Sequence, residues 1–245
     1  MAKAIPLDKL PTFSKFNLPD PSYDYSEGAA FLINKPPKWS SFEVVKHLRK
    51  CIDLRKIGHA GTLDPMATGL LVLCCGKGTK SISQIQSQPK EYIGEVTFGG
   101  ATPSHDAETE IEETADYEHI TRDLIQKVLQ EQFDGQITQV PPMYSALKHE
   151  GTPLYKLARK GKEVKRHPRQ VIIYDTEILG FKNPKLELYV KCSKGTYIRS
   201  IAYDLGKAVS SLAHLTKLKR IAIGDFKSED ALSVEELESI FLNDN

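Results

Sequence analysis

The sequence predicts a mixed α/β (α+β) fold, with a mixed β-sheet and flanking helices. Two observations carry this. Apolar or alternating runs of strand length are interspersed with helix-period stretches that start at capping residues. Their order has no strict strand–helix–strand rhythm, which argues against a doubly wound parallel sheet. A third observation bears on domain number: there is no internal repeat and no low-complexity tract. The expected organisation is therefore an N-terminal arm over 1–27, with four prolines and scattered aromatics, and one domain over 28–245.

Taken in order, 29–33 reads as a short apolar strand, ended by Pro36–Pro37. Ser40 and Glu43 make a capping box for a helix whose stripe is Val44, Leu48 and Ile52. A turn-rich stretch, GHAGTLDPMATG at 58–69, precedes the buried-strand candidate 70–75. Residues 92–98 alternate as a strand, and Thr121 opens a helix with Leu124, Ile125, Val128 and Leu129 inward. Further strands are expected at 170–174, 186–192 and 219–223, with a helix from Thr196 to Val209. The last helix starts at Ser233, capped with Glu236.

Composition removes several function classes. No run approaches the ~20 apolar residues of a membrane helix, and the first residues lack the apolar core of a signal peptide. Cys51, Cys74, Cys75 and Cys192 form no C-x-x-C pair and read as small buried residues of a reducing, cytoplasmic protein. The seven histidines show no metal-ligand spacing, and neither a Walker A nor a G-x-G-x-x-G loop is present, so no metal or nucleotide cofactor is expected.

The net charge of +1 conceals a strong local pattern. Residues 148–169 carry eight Lys/Arg against two Glu, and 185–220 eight against two acids. Residues 104–134 hold ten acids against two bases, and 225–245 seven against one. Two basic segments on a near-neutral chain suit a polyanion-binding face, although solvated basic surfaces would give the same count.

Two stretches carry candidate chemistry. In GHAGTLDP at 58–65, glycines three apart and Pro65 can present His59 and Asp64 rigidly, unless Asp64 merely caps the turn. In KGTYIR at 194–199, Thr196 is the expected helix cap and Arg199 falls in the first turn, where the helix dipole disfavours a cation. Either an anion compensates it, a phosphate or a carboxylate, or its head lies in water.

Five ordered stretches resemble the tRNA pseudouridine-55 synthases of the TruB family: NKPPKWSSFEVV, GHAGTLDPMATGLLVLCCGKGTK, KEY, QVPPMYSALKHEGTPLYKLARKG and CSKGTYIRSIAYDLG. The resemblance runs from about residue 28 to 226. It implies a pseudouridine synthase-like fold: a central, mixed, mainly antiparallel sheet with flanking helices and an RNA-binding cleft. It also implies action without a cofactor on the T-arm of tRNA. By the same resemblance Asp64 matches the catalytic aspartate, Tyr92 the tyrosine that packs on the target base, and Arg199 the arginine paired with the aspartate. His59, Lys35, Tyr197 and Leu218 match substrate-side positions. The sequence 101–106 (ATPSHD) resembles the family's threonine-rich turn only loosely, so Asp106 receives no role. The chain ends soon after the core, so a short form without a separate C-terminal RNA-binding domain is expected, acting as a monomer.

The chemistry implied is cleavage of the C1′–N1 bond of uridine, rotation of the uracil and rejoining through C5. One carboxylate, Asp64, suffices to attack the ribose or stabilise a transient cation. Arg199 would compensate its charge in a dry pocket. The uridine must be flipped out, at a cost of a few kcal/mol. Tyr92 can stack on it and accept the C5 proton, and His59 can fill the vacated space. The basic insert, about 139–169, would grip RNA through Tyr144, Lys148, Tyr155, Arg159, Lys160, Lys162, Lys165 and Arg166. The rival function, a non-catalytic tRNA-binding or folding protein, has no use for a buried Asp–Arg pair.

Overall fold

The structure, a computed structural model, describes residues 4–242, which belong to two units: 4–92 with 219–242, and 93–218. The first unit contains β1 (Thr12–Phe13), β2 (Ala29–Lys35), α1 (Ser41–Cys51), β3 (Ile57–His59), β4 (Thr68–Cys75) and α2 (Ile82–Ser87). Strand β5 (Lys90–Phe98) then leads into the second unit, with β6 (Gly100–Ala101), β7 (Glu113–Thr114), α3 (Arg122–Gln132) and β8 (Gly135–Gln139). There follow β9 (Lys148–His149), β10 (Thr152–Pro153), α4 (Leu154–Ala158), β11 (Arg169–Lys182), β12 (Lys185–Cys192) and α5 (Ile198–Ala208). Strand β13 (Ala213–Ile223) leads back to the first unit, which closes with β14 (Phe226–Lys227) and α6 (Val234–Phe241).

The sheet is mixed, as expected. In the first unit the strand order is β1-β2-β4-β13, with β3 also on β4. The β1–β2 and β4–β13 pairs are parallel, whereas β2–β4 and β3–β4 are antiparallel. In the second unit the order is β13-β5-β12-β11-β8, with β8–β11–β12 antiparallel. The apolar run of β4 is buried on both faces, which is why it shows no alternation. Strand β5 alternates buried with half-buried residues along its whole length, the signature of a sheet with one covered face.

Helix α1 starts at the anticipated capping box, with Ser40 Oγ accepting from Glu43 N–H and the Glu43 carboxylate accepting from Ser40 N–H. Its buried side is Ser41, Val44, Val45, Leu48 and Cys51, and it packs on α6 and β3. Ser233 and Glu236 repeat the device on α6. The described part of the N-terminal arm is packed on its own unit. Phe13 is buried edge-on against Tyr23 and Tyr25, and Leu10 joins the core of Leu32, Leu70, Val72 and Ile85. In the second unit α3 packs on α5 and β11 through Ile125, Val128 and Leu129.

Among the element boundaries that differ from the expectation, three have a clear local cause. Strand β13 begins at Ala213 rather than 219, because Thr216 and Lys217 interrupt the apolar pattern while bonding Glu95 within the sheet. Strand β11 continues to Lys182 through irregularities at 173/175 and 178/180 that break its alternation. Helix α5 starts at Ile198, and its N-cap is Tyr197, not Thr196. The Thr196 hydroxyl instead donates to the Ser193 carbonyl at 3.0 Å.

All four cysteines are free and buried. Burial pushes the Cys74 thiol up to about 12 and Cys51 and Cys75 to about 11, so these thiols are protonated and unreactive at neutral pH. No helix of the described residues is long and apolar enough to cross a membrane.

Candidate active site

The candidate residues fall into two groups, one in each unit. In the first, Asp64 sits half-buried in the loop between β3 and β4, and the backbone on either side of it is tied down. The Ser41 hydroxyl accepts from Leu63 N–H at 2.8 Å and donates to the Leu63 carbonyl at 3.1 Å. Lys35 is 0 % exposed, and its ammonium donates to the carbonyls of Pro36, Trp39 and Pro65 at 2.9, 2.5 and 3.1 Å. Arg220 is 1 % exposed and spans three more carbonyls, of Leu70, Gly61 and Thr62, at 2.8, 3.1 and 3.5 Å. Ala67 N–H closes the turn on the Asp64 carbonyl at 3.0 Å. So heavily pinned a loop fixes the backbone that carries the Asp64 carboxylate, the kind of preorganised placement a reacting group needs.

Arg220 can span that loop because β4 and β13 approach very closely. Gly69 has φ +92°, and a Cβ there would lie 2.3 Å from the Arg220 carbonyl oxygen, so only glycine fits. His59, at the end of β3, is half-buried. Burial first, and the Arg220 charge second, hold its pKa below the ordinary histidine value, so the ring is neutral at pH 7 and can lie against an uncharged base. Tyr92, on β5, is buried.

In the second unit Arg199 occupies the first turn of α5 and is 2 % exposed. The compensating anion demanded by its place on the helix is here a carboxylate. Its Nε lies 3.4 Å from Asp106 Oδ2, and its Nη1 donates to the Ser104 carbonyl at 3.0 Å. Asp106, given no role from the sequence, is 1 % exposed. Its Oδ1 accepts from Ser104 Oγ at 2.5 Å and Glu108 N–H at 3.0 Å. The sequence 101–106 therefore does the work of a carboxylate-bearing turn despite its loose resemblance. The signal available in the sequence was the pairing logic itself, a first-turn arginine needing an anion.

Tyr197 lies beside Arg199, with ring centroid and guanidinium carbon 5.9 Å apart, and Leu218 is buried on β13. His105, next to Asp106, stacks on Tyr203 at 3.9 Å with rings 2° from parallel. Of the insert residues, Lys148, Arg159, Lys160, Lys162 and Lys165 are exposed, whereas Tyr144, Tyr155 and Arg166 are half-buried. Arg159 lies 5.5 Å over the Tyr155 ring, and Arg166 bonds Glu163 at 3.0 Å.

Residues 49–198 match the family model described as TruB family pseudouridylate synthase (N terminal domain), and 199–245 match the tRNA pseudouridylate synthase B C-terminal domain. This chain belongs to the TruB family of pseudouridylate synthases. It is 48 % identical to the tRNA pseudouridine synthase B of Flavobacterium johnsoniae over 218 residues, covering 86 % of this chain and 95 % of that protein. It is 47 % identical to the protein of the same name from Phocaeicola vulgatus, covering 86 % and 92 %. Among solved structures it is similar to a chain of a Cbf5-Nop10-Gar1 complex, with TM-score 0.68 and 28 % identity over 91 % of this chain. A similar likeness, TM-score 0.65 and 25 % identity, holds to a chain of an H/ACA RNP bound to a substrate RNA containing 2′-deoxyuridine. This TruB-family chain spans 56 % of each of those longer chains. It is thus a pseudouridine synthase, an isomerase that acts on RNA.

Proposed function

We propose that this synthase converts uridine 55 in the T-loop of tRNA to pseudouridine, as a cytoplasmic monomer that reads the T-arm. The observation that carries the reading is the pinned loop at 61–67, which holds the Asp64 carboxylate between bonds from Ser41, Lys35 and Arg220. Two relatives named tRNA pseudouridine synthase B at 47–48 % identity support the substrate. The free, buried cysteines support a reducing compartment.

In this reading Asp64 attacks the ribose or stabilises the cation formed as the C1′–N1 bond breaks. The uracil turns, C5 bonds to C1′, the C5 proton is lost to a base and N1 ends protonated. Atoms balance without a further reactant. Tyr92 stacks on the uracil and is the candidate base. Arg199, held by Asp106 and Ser104, is the arginine proposed to serve that carboxylate. His59, Tyr197 and Leu218 shape the nucleotide's seat, and Lys35 shapes the catalytic turn. The insert, with Tyr144, Lys148, Tyr155, Arg159, Lys160, Lys162, Lys165 and Arg166, grips the RNA.

The test is incubation of the purified protein with unmodified tRNA, followed by chemical mapping of pseudouridine. New pseudouridine at position 55 alone is expected. Modification elsewhere, or binding without modification, overturns the proposal.

A further inference from the structure

The basic insert leaves the sheet after Gln139 and returns at Arg169, and these two residues face each other as antiparallel partners. Both of its roots converge on Tyr197. The Gln139 side chain, 1 % exposed, donates from Nε2 to the Tyr197 carbonyl at 3.0 Å and accepts from Tyr197 N–H on Oε1 at 2.9 Å. The Arg169 guanidinium carbon lies 4.6 Å from the Tyr197 ring centroid. The first residue of the insert, Val140, gives its carbonyl to Ser200 Oγ at 3.1 Å. Tyr197 is the N-cap of α5, its own side chain makes no capping bond, and Arg199 follows two residues later.

A buried amide that commits both its donor and its acceptor to the backbone of one residue is a rigid two-point clamp. Here the clamp sets the backbone at the start of α5, and so the direction in which Arg199 leaves the helix toward Ser104 and Asp106. Arg169 adds a plane on the Tyr197 ring. Among the described residues its guanidinium makes no hydrogen bond or ion pair, and its Nε is buried without a partner. The face of Tyr197 is therefore its principal contact.

We infer that Gln139, supported by Arg169, is a positioning residue for the isomerisation, acting through Tyr197 on Arg199. The insert that holds the RNA thereby shares its anchor with the guanidinium that serves the reaction. The inference rests on the role proposed for Arg199.

The experiment compares single-turnover rate on unmodified tRNA with tRNA Kd for Gln139→Leu, in the wild-type and in the Arg199→Lys background. Leucine keeps most of the volume and removes both bonds. In wild type the rate is expected to fall at least ~30-fold while Kd changes less than about threefold. In the Arg199→Lys background the same substitution should cost less than about threefold, because no well-placed guanidinium is left to misplace. Equal fractional losses in both backgrounds, or a loss expressed in Kd, overturn the inference. Should Gln139→Leu fail to fold, Arg169→Met is read in the same way. A lower rate at unchanged Kd supports positioning, whereas weaker Kd at unchanged rate makes Arg169 an RNA phosphate contact and overturns it. An Arg199→Lys enzyme with wild-type rate sinks the role of Arg199 itself, a result distinct from additive losses.

Discussion

At the scale of single residues, the proposed chemistry rests on Asp64, and truncating it is expected to separate reaction from fold. Asp64 is half-buried on a loop whose tethers come from Ser41, Lys35 and Arg220 rather than from its own side chain alone. Asp64→Ala is expected to lower single-turnover rate by ~10⁴-fold or more while tRNA affinity and Tm stay close to wild type. A loss within about tenfold, ~1.4 kcal/mol, would show that the carboxylate is not the reacting group. His105 gives a second residue-scale expectation, about pH. Burial first, then the charges of Arg199, Arg166 and Lys207, pull its pKa down from 6.5 to about 4. The unfolded chain therefore binds this proton first as pH falls. Native stability is fully present above about pH 6.5 and declines toward pH 4, by at most ~1.4 kcal/mol per pH unit, less for a partly exposed ring. His105 has φ 61°, a left-handed conformation that asparagine tolerates. In His105→Asn, Tm plotted against pH should flatten across that window, and an unchanged slope would mean the ring is already protonated in the native state.

At the scale of elements, the loop between β3 and β4 depends on a residue far away in sequence. Arg220 sits on β13, yet it holds the carbonyls of Gly61, Thr62 and Leu70. Arg220→Met removes the donors while keeping a long apolar stem. Stranded buried carbonyls each cost about 1–3 kcal/mol, so denaturant titration should show a loss of a few kcal/mol. The single-turnover rate of the remaining folded enzyme should also fall, because Asp64 loses one wall of its mount. Unchanged stability would mean that water replaces the guanidinium. Helix α1 and helix α6 were legible from their capping boxes, since a cap is a local bond between residues three apart. The start of α5 was not, because its N-cap residue Tyr197 is held by Gln139, 58 positions away in sequence, and the adjacent Thr196 does not cap the helix.

At the scale of the whole molecule, the charge pattern predicts how RNA is held. Lys160, Lys162 and Lys165 are exposed in the basic insert, between α4 and β11. Replacing all three with Gln should flatten the dependence of log affinity on log salt, by roughly 0.7–0.9 for each phosphate deprived of its lysine. An intact slope would mean that this segment faces solvent in the complex. The sequence by itself determined the mixed strand and helix content, the capped helices, the buried run of β4, the two basic segments and the candidates Asp64, Tyr92 and Arg199. All of these rest on short-range periodicity, local capping, residue chemistry or ordered motifs that survive in one dimension. Only the tertiary structure decided what surrounds them: Lys35 and Arg220 on the loop that carries Asp64, Asp106 beside Arg199, and Gln139 on Tyr197. Buried polar groups must find partners wherever the fold brings backbone and side chains together, and those partners lie too far apart along the chain for any local pattern to reveal.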